Sequence, residues 1–222
     1  MKYMGSRLLK DEDLEILKQD YWSRLENEVE IIYINSREPI CQYCPVIKQL
    51  YREITSLTDK IKFIELFLED DHDIIEKLGV KYAPATILRG LNKGWIKFYG
   101  IPAGNEFPSF IEAIVMVSTG EDGLPDYVKG EITRIDKSIN IKTFVTPSCP
   151  YCPKMVYTTY QFAMVNEFIE AEAWESLEFP DISAYYDVYA VPKVVINDKI
   201  SWEGLVPPEY LIEKIREAIR EE

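Results

Sequence analysis

Hydrophobic and polar positions along the chain switch between helical and strand periods, in an order that occurs twice. Residues 11–26 carry apolar side chains at helical spacing, and residues 29–34 form the continuous apolar run typical of a buried central strand. The first copy is predicted to contain a helix at 11–26, a strand at 29–34, a helix from 41 to about 57, a strand at 61–68, a short helix at 71–78, a hairpin of 84–88 and 95–99, and a helix at 105–117. The second copy is predicted to contain a helix at 127–137, a strand at 141–145, a helix from 149 to about 167, a strand at 169–173, a short helix at 181–186, a hairpin of 193–196 and 200–202, and a helix at 208–221.

The two copies are related by an internal repeat with an offset of 108 residues, which carries Cys41 onto Cys149. Segment 118–126 separates the copies and is rich in glycine and proline, so we expect it to be the linker. The chain is therefore predicted to contain two units, 1–118 and 119–222, each within the usual size range of a domain.

Each unit has the element order β-α-β-α-β-β-α, preceded by one extra helix. A parallel βαβ segment followed by an antiparallel hairpin predicts a mixed four-stranded sheet with helices on both faces. The predicted fold class is α/β, with two such units in tandem. A Cys-x-x-Cys motif at the first strand-to-helix turn of such a unit is typical of a thioredoxin-like domain.

All four cysteines lie in two Cys-x-x-Cys pairs, Cys41 with Cys44 and Cys149 with Cys152. Each first cysteine follows a predicted strand and begins a predicted helix, where unpaired N–H groups and the helix dipole favour a thiolate. The second cysteine lies three residues later on the same helical face, so each pair can close a short disulfide. We therefore predict Cys41 and Cys149 as attacking thiols, and Cys44 and Cys152 as resolving thiols, in thiol–disulfide exchange.

Two structural interpretations of the cysteine pairs compete with this redox interpretation. A structural zinc site needs four converging ligands, commonly with about 15–20 residues between the pairs, whereas here the pairs occupy equivalent places in separate units. No metal site is therefore predicted. The other alternative is that one pair is a purely structural disulfide, and the sequence leaves this open.

Two prolines and two tyrosines accompany the cysteines at repeated positions. Pro84 and Pro192 each lie 43 residues after the first cysteine of their unit and precede a predicted strand. We expect both to be cis and to lie against the thiols, where the residues before them would offer backbone groups to an extended substrate. Tyr43 and Tyr151 lie between the cysteines and are candidate substrate contacts, with packing over the helix start as the alternative.

The charge of the chain narrows the classes of partner. With 25 basic and 38 acidic residues, the formal net charge is −13, which argues against binding to nucleic acid or to an anionic membrane. The acidity indicates either a surface selective for basic partners or simply a soluble, self-repelling surface. No run of about 20 apolar residues occurs, and residues 1–10 lack the pattern of a secretory leader, so we expect a cytoplasmic protein. The absence of a glycine-rich phosphate-binding motif predicts no bound nicotinamide or flavin, so that electrons come from another protein or a small thiol.

The Cys-Gln-Tyr-Cys and Cys-Pro-Tyr-Cys motifs, together with Pro84 and Pro192, resemble those of the glutaredoxin-like protein disulfide oxidoreductases of thermophilic archaea and bacteria. The resemblance covers nearly the whole chain and includes segment 99–104. It implies two thioredoxin-fold units, each with a dithiol and a cis proline. It also implies reduction, oxidation and isomerisation of protein disulfides, with a thioredoxin-reductase-like electron donor.

The sequence departs from related families in ways that affect proton transfer and ligands. Thioredoxins place an acid six residues before the first cysteine, where this chain has Asn35 and Thr143. Proton transfer is then expected to use Glu65, Glu172 or water. The residues with which glutaredoxins bind glutathione are also replaced, which argues against glutathione as a ligand.

The sequence thus predicts an enzyme, a protein dithiol–disulfide oxidoreductase with two sites and no bound cofactor. One alternative is a redox-inert scaffold or binding module. Another is an electron-delivery module for a peroxidase system, similar to the tandem thioredoxin-fold domain of the flavoprotein that reduces a peroxiredoxin. That domain typically lacks one of the two dithiols, and both are kept here.

Overall fold

The structure of the protein, a computed structural model, describes residues 7–39 and 41–220. The strands of these residues are β1 (Val29–Asn35), β2 (Ile61–Phe67), β3 (Ala85–Arg89), β4 (Trp95–Tyr99), β5 (Ile139–Val145), β6 (Ile169–Glu175), β7 (Lys193–Ile196) and β8 (Ile200–Glu203). All eight join one mixed sheet in the order β2-β1-β3-β4-β6-β5-β7-β8. Each half contributes four neighbouring strands with helices on both faces, which confirms the predicted fold class.

The helices follow the predicted order. They are α1 (Asp11–Ile16), α2 (Cys44–Thr55), α3 (His72–Lys77), α4 (Glu106–Thr119), α5 (Asp126–Ile132), α6 (Cys152–Val165), α7 (Pro180–Tyr185) and α8 (Pro208–Arg220). Helix α1 continues as a π-helical turn (Leu17–Tyr21) and a 3-10 turn (Trp22–Arg24), which together fill the predicted segment 11–26 almost completely.

Helices α2 and α6 begin three residues later than the sequence predicts, at the second cysteine of each motif. The reason is a turn that each first cysteine closes with its own N–H. Cys41 donates to the carbonyl of Glu38 at 3.0 Å, and Cys149 donates to the carbonyl of Thr146 at 3.1 Å. The first cysteines therefore lie just before the helices and face their exposed N–H groups.

Helix α5 ends earlier than predicted, at Ile132 rather than near residue 137. The side-chain amide of Asn166 donates hydrogen bonds to the carbonyls of Ile132 at 2.7 Å and Ile135 at 2.8 Å. Because these carbonyls are satisfied by a side chain from elsewhere in the fold, the helix need not continue. The predicted absence of a leader at residues 1–10 and the predicted helix end at 221 fall partly outside the described residues.

The two halves are joined through their edge strands. Strand β4 of the first half pairs in parallel with β6 of the second, with Trp95 opposite Glu170 and Tyr99 opposite Trp174. Beside this pair, the fully buried ammonium of Lys97 forms an ion pair with Glu170 across the junction. The sequence predicts two four-stranded sheets, and the pairing of their edges into one sheet is a feature that only the structure reveals.

Helices α2, α4 and α6 cover one face of the sheet, and α3 and α7 cover the other. Both cysteine motifs follow the carboxyl ends of parallel strands, β1 and β5, so they lie at the same edge of the sheet. These strands are four spacings apart in the sheet order, which separates the sites by about 19 Å. Among the described residues, no helix has the length and apolar character needed to cross a membrane.

Two candidate dithiol sites

Each cysteine pair is closed as a disulfide. The Cα atoms of Cys41 and Cys44 lie 5.4 Å apart, and those of Cys149 and Cys152 lie 5.5 Å apart. Since both pairs bond within their own motif, neither connects distant parts of the chain. Opening either disulfide therefore leaves the rest of the covalent structure unchanged, as reversible exchange requires.

The two cysteines of each motif differ in their environment. Cys41 and Cys149 retain 9% and 7% of their surface exposed, whereas Cys44 and Cys152 retain 3% and 0%. In both sites the first sulfur is the one that an outside reactant reaches more easily. This asymmetry matches the predicted division into attacking and resolving thiols.

The start of helix α6 acts directly on the first sulfur of the second site. The backbone N–H of Cys152 donates a hydrogen bond to the sulfur of Cys149 at 3.1 Å. A donor aimed at sulfur stabilises negative charge there, which lowers the thiol pKa once the disulfide is reduced. At the first site the hydroxyl of Tyr33 donates to the carbonyl of Cys44 at 3.0 Å and ties β1 to the first turn of α2.

The peptide bonds Ala83–Pro84 and Val191–Pro192 are both cis, as the sequence predicts. The sulfur of Cys149 lies 3.6 Å from the carbonyl oxygen of Val191, so the second proline segment borders its dithiol. At the first site, Ala83 and Pro84 line the same groove as Cys41. Both prolines thus lie where the repeat predicts.

The groove at the first dithiol has a volume of about 410 Å³ and is built from both halves of the chain. Cys41, Tyr43 and Pro84 line it from the first half, and segment 177–182 lines it from the second. The turn between β6 and α7 is therefore a wall of a site that belongs to the other repeat. The repeat pattern of the sequence contains no indication of this contact.

A second groove, of about 470 Å³, lies beside the other dithiol and is lined by Thr146, Tyr189 and Val191, among others. Leu177 and Pro180 line both grooves. Leu177 is 72% exposed, so its side chain forms an apolar ridge between the two sites.

The tyrosines between the cysteines are exposed. Tyr43 exposes 45% of its surface and Tyr151 exposes 64%. Tyr43 also lines the first groove. Their exposure agrees with availability for contact with a substrate better than with packing over the helix start.

Comparison with known proteins agrees with this geometry. The sequence model of the thioredoxin domain family matches residues 139–217. The structure of a protein disulfide oxidoreductase from Aeropyrum pernix K1 superimposes with a TM-score of 0.87 at 27% identity, over 95% of this chain and 94% of that one. This chain is a tandem thioredoxin-fold redox protein.

The tandem thioredoxin-fold protein also resembles a part of larger proteins. It is 26% identical over 191 residues to the alkyl hydroperoxide reductase AhpF of Pseudomonas aeruginosa, which covers 82% of this chain and 36% of that protein. The corresponding protein of Escherichia coli is 27% identical over 171 residues, 76% of this chain and 31% of that protein. The chain thus spans about a third of the length of these curated relatives. The NTD_N/C domain of AhpF from Enterococcus faecalis has the same fold, with a TM-score of 0.83 at 21% identity over 93% of this chain and 99% of that one.

The groups predicted to transfer protons are placed unequally in the tandem thioredoxin-fold protein. The Asn35 amide donates to Glu65 at 2.7 Å, and Lys48 pairs with the same carboxylate at 2.7 Å. Although burial raises the pKa of Glu65, the hydrogen bonds from Lys48 and Asn35 bring it below its ordinary value. Glu65 is therefore held as a paired carboxylate, which makes it a poor proton acceptor near neutrality.

Glu172 does not fit the proton-transfer role that the sequence suggests. It lies on the face of the sheet that carries α7, where it accepts a hydrogen bond from the indole of Trp174 at 2.8 Å. Cys149 and Cys152 lie on the opposite face, beneath α6. The error has a simple cause, because residues of one strand alternate between the two faces of a sheet.

Two carboxyl groups near the dithiol edge escape the sequence analysis. Burial raises the pKa of Glu106 to about 8 and that of Glu178 to about 7. Both belong to segments that look like ordinary charged helix starts or turns, so the sequence gives no signal of their burial. As for metals, the described part of the chain contains no cluster of three or more His, Cys, Asp or Glu side chains able to hold an ion.

Proposed function

We propose that this chain is a protein dithiol–disulfide oxidoreductase that works through two sites. Cys41 and Cys149 are the attacking thiols, and Cys44 and Cys152 resolve the mixed disulfides that they form. The single observation that carries the proposal is the hydrogen bond from the first amide of α6 to the sulfur of Cys149, beside the cis peptide segment at Pro192. Helix start, accessible sulfur and extended backbone meet there in the arrangement that exchange needs.

The chemistry follows from the ionisation of the first sulfur. In the reduced protein its thiolate attacks one sulfur of a substrate disulfide, which releases the other as a thiolate and leaves a mixed disulfide. The second cysteine then attacks the first, closes the disulfide within the motif and releases the reduced substrate. Two electrons pass from the protein dithiol to the substrate, and an electron donor restores the dithiol.

The grooves support polypeptides as substrates. Pro84 and Pro192 place the backbone of the preceding residues at the groove floor, where an extended chain can pair with it. We propose that the exposed rings of Tyr43 and Tyr151 contact side chains of that substrate. Such contacts are adaptable in sequence, which suits an enzyme that acts on disulfides in different proteins.

We further propose that units 1–118 and 119–222 each carry one complete dithiol, with a boundary in the last turn of α4. The electron donor is proposed to be a thioredoxin-reductase-like protein, because the chain needs no bound cofactor for exchange itself. The proposed compartment is the cytoplasm, where closed disulfides of this kind are usually catalytic. Nucleic acids and membranes are not among the proposed partners.

The likeness to alkyl hydroperoxide reductase AhpF favours a second candidate, delivery of electrons to a peroxidase. A redox-inert scaffold is the remaining alternative. Titration of each dithiol against glutathione and thioredoxin buffers distinguishes these functions. Potentials far below the cytosolic range, about −220 to −320 mV, would keep both disulfides closed and favour the scaffold.

The decisive experiment is the reduction of insulin driven by dithiothreitol. We expect the Cys41→Ser/Cys149→Ser double variant to lose the catalysed rate, because neither site then has an attacking thiol. Each single variant should retain the contribution of the other site. Circular dichroism serves as the control for folding, and full activity in the double variant would refute the proposal.

Adding a peroxiredoxin and hydrogen peroxide to the same assay tests the second candidate. If the reduced protein is reoxidised much faster by the peroxiredoxin than by insulin, electron delivery is the principal activity. If insulin is the faster oxidant, the principal activity is exchange with protein disulfides.

A further inference from the structure

The first dithiol receives a carboxyl group from the other half of the chain. Glu178 lies in the turn between β6 and α7 and lines the same groove as Cys41 and Pro84. It is brought there by the pairing of β4 with β6, since this pairing sets the end of β6 beside the end of β4. The first half supplies no free acid in this position, because Asn35 occupies it and Glu65 is paired with Lys48.

Glu178 is held in a defined position. One carboxylate oxygen, Oε1, accepts a hydrogen bond from the backbone N–H of Ile101 at 2.6 Å. The N–H of Glu178 itself donates to Glu175 at 2.7 Å. A Cβ added to Gly100 would lie 2.7 Å from the same Oε1, so the glycine permits the close approach of the carboxyl group to the end of β4. Among the described residues, none donates a hydrogen bond to the other oxygen, Oε2.

The surroundings adjust this carboxyl group to neutral pH. Burial raises the pKa of Glu178 to about 7, the Ile101 hydrogen bond opposes the rise, and the nearby Glu175 adds to it. The charge of Glu178 in turn raises the pKa of Tyr33, whose hydroxyl binds the Cys44 carbonyl. The other titratable groups that face Glu178 or share its groove are Tyr51, Tyr43, Tyr82 and Asp181.

We propose that Glu178 exchanges protons with the Cys41–Cys44 dithiol, so that the second half of the chain supplies the acid–base group of the first site. The inference rests on the proposed oxidoreductase function. It assigns a role to a residue outside the repeat unit that contains the cysteines.

Protons and electrons balance when Glu178 serves both halves of the resolving step. After Cys41 has formed a mixed disulfide, the Glu178 carboxylate takes the proton of the Cys44 thiol. The Cys44 thiolate attacks the Cys41 sulfur, the Cys41–Cys44 bond forms, and the bond from Cys41 to the substrate sulfur breaks. The substrate thiolate leaves with the electron pair of that bond and takes the proton from the Glu178 carboxyl group, which returns to the carboxylate.

The test uses the full chain with Cys149→Ser and Cys152→Ser, so that only the first dithiol reacts. The reduced protein is mixed with insulin, quenched in acid and alkylated, and the mixed disulfide at Cys41 is followed by mass spectrometry from pH 5.5 to 9.5. With Glu178 present, we expect its resolution rate to rise with pH around a midpoint near 7. In the Glu178→Gln variant we expect this midpoint to vanish and the rate at pH 7 to fall about 100-fold.

The glutamine variant keeps an oxygen that can accept the Ile101 hydrogen bond, so a purely structural role would change the thermal midpoint and leave the pH profile intact. Above about pH 9, where a thiol of ordinary pKa ionises without help, the rates of the two proteins should converge. Glu167→Gln is the matched control, because it removes the same charge at an exposed position at the opposite end of β6.

Two results would overturn the inference in different ways. An unchanged midpoint and rate in Glu178→Gln, with insulin still reduced, removes the role of Glu178 and leaves the oxidoreductase function standing. A first site that forms no mixed disulfide even with Glu178 present removes the inference together with the proposed function of that site.

Discussion

At the residue scale, the most unusual side chain is the buried carboxyl of Glu106 at the start of α4. It is 1% exposed, and its Oε1 has no hydrogen-bond partner among the described residues. Burial raises its pKa to about 8, although the hydroxyl of Ser109 opposes the rise. The neighbouring N–H of Asn105 donates to the carbonyl of Pro147 at 2.9 Å, which sets this helix start against the segment that leads to Cys149.

The raised pKa of Glu106 predicts a dependence of stability on pH. A carboxyl group with a higher pKa in the folded than in the unfolded state stabilises the fold below the unfolded value, near 4.5, and this stabilisation is lost as the pH rises to about 8. Its loss lowers the free energy of unfolding by about 1.4 kcal/mol per pH unit across that window. In Glu106→Gln we expect this contribution to disappear, as measured by urea unfolding at pH 5, 6.5 and 8. The exposed Glu121→Gln is the control, and an identical pH slope in Glu106→Gln and the parent would contradict the assignment.

At the element scale, the hairpin of β3 and β4 joins the two halves. Its Gly94 donates its N–H to the carbonyl of Ala163 at 2.8 Å, in the last turns of α6. A Cβ at this position would lie 2.1 Å from the carbonyl oxygen of Ile169 and 2.5 Å from that of Asn166. The hairpin turn thus meets the backbone of the other half so closely that only glycine fits.

Gly94→Ala therefore tests the junction of β4 and β6. We expect it to lower the free energy of unfolding by about 3 kcal/mol, because backbone oxygens of the second half must move away from the new methyl group. Gly130→Ala is the matched control, since Gly130 lies within α5 with no atom near its absent Cβ. That substitution should stabilise the protein by about 0.5–1 kcal/mol through helix propensity. Denaturant unfolding measures both, and equal effects of the two alanines would mean that the junction is not tightly packed.

At the scale of the whole molecule, the two dithiols share one edge of the sheet but remain apart. The separation of about 19 Å follows from four strand spacings. A disulfide needs Cα atoms within about 7 Å, so the two sites do not exchange directly with each other. Each must receive its electrons independently from an outside partner.

This separation predicts the products of a trapping experiment. In the Cys44→Ser/Cys152→Ser variant, each site keeps only its first thiol. Oxidation at low protein concentration should give no Cys41–Cys149 disulfide within one chain, as judged by mass spectrometry of the monomer after alkylation and proteolysis. The parent protein, in which both short disulfides close, is the control. A linked peptide pair from the monomer would show that the halves approach each other far more closely than the continuous sheet allows.

The sequence could predict those features that depend on local patterns and on their repetition. The hydrophobic periods place the strands and most helices within a few residues, and the recurrence of Pro84 and Pro192 after the cysteines predicts both cis peptide bonds correctly. The start of α2 and α6 is misplaced by one turn, because the turn at each first cysteine has no distinct pattern. The suggested proton-transfer role of Glu172 is wrong, because its side chain occupies the face of the sheet opposite the dithiol.

By itself, then, the sequence determined the two repeats, their element order and the position of each dithiol before a helix, since these depend on neighbours close in the chain. The tertiary structure alone decided that the repeats share one sheet, that segment 177–182 walls the groove of Cys41, and that Glu178 stands beside a dithiol of the other half. The physical reason is that the pairing of edge strands and the burial of a carboxyl group depend on residues far apart in sequence. A hydrophobic pattern shows that a side chain is buried, but not which distant segment covers it.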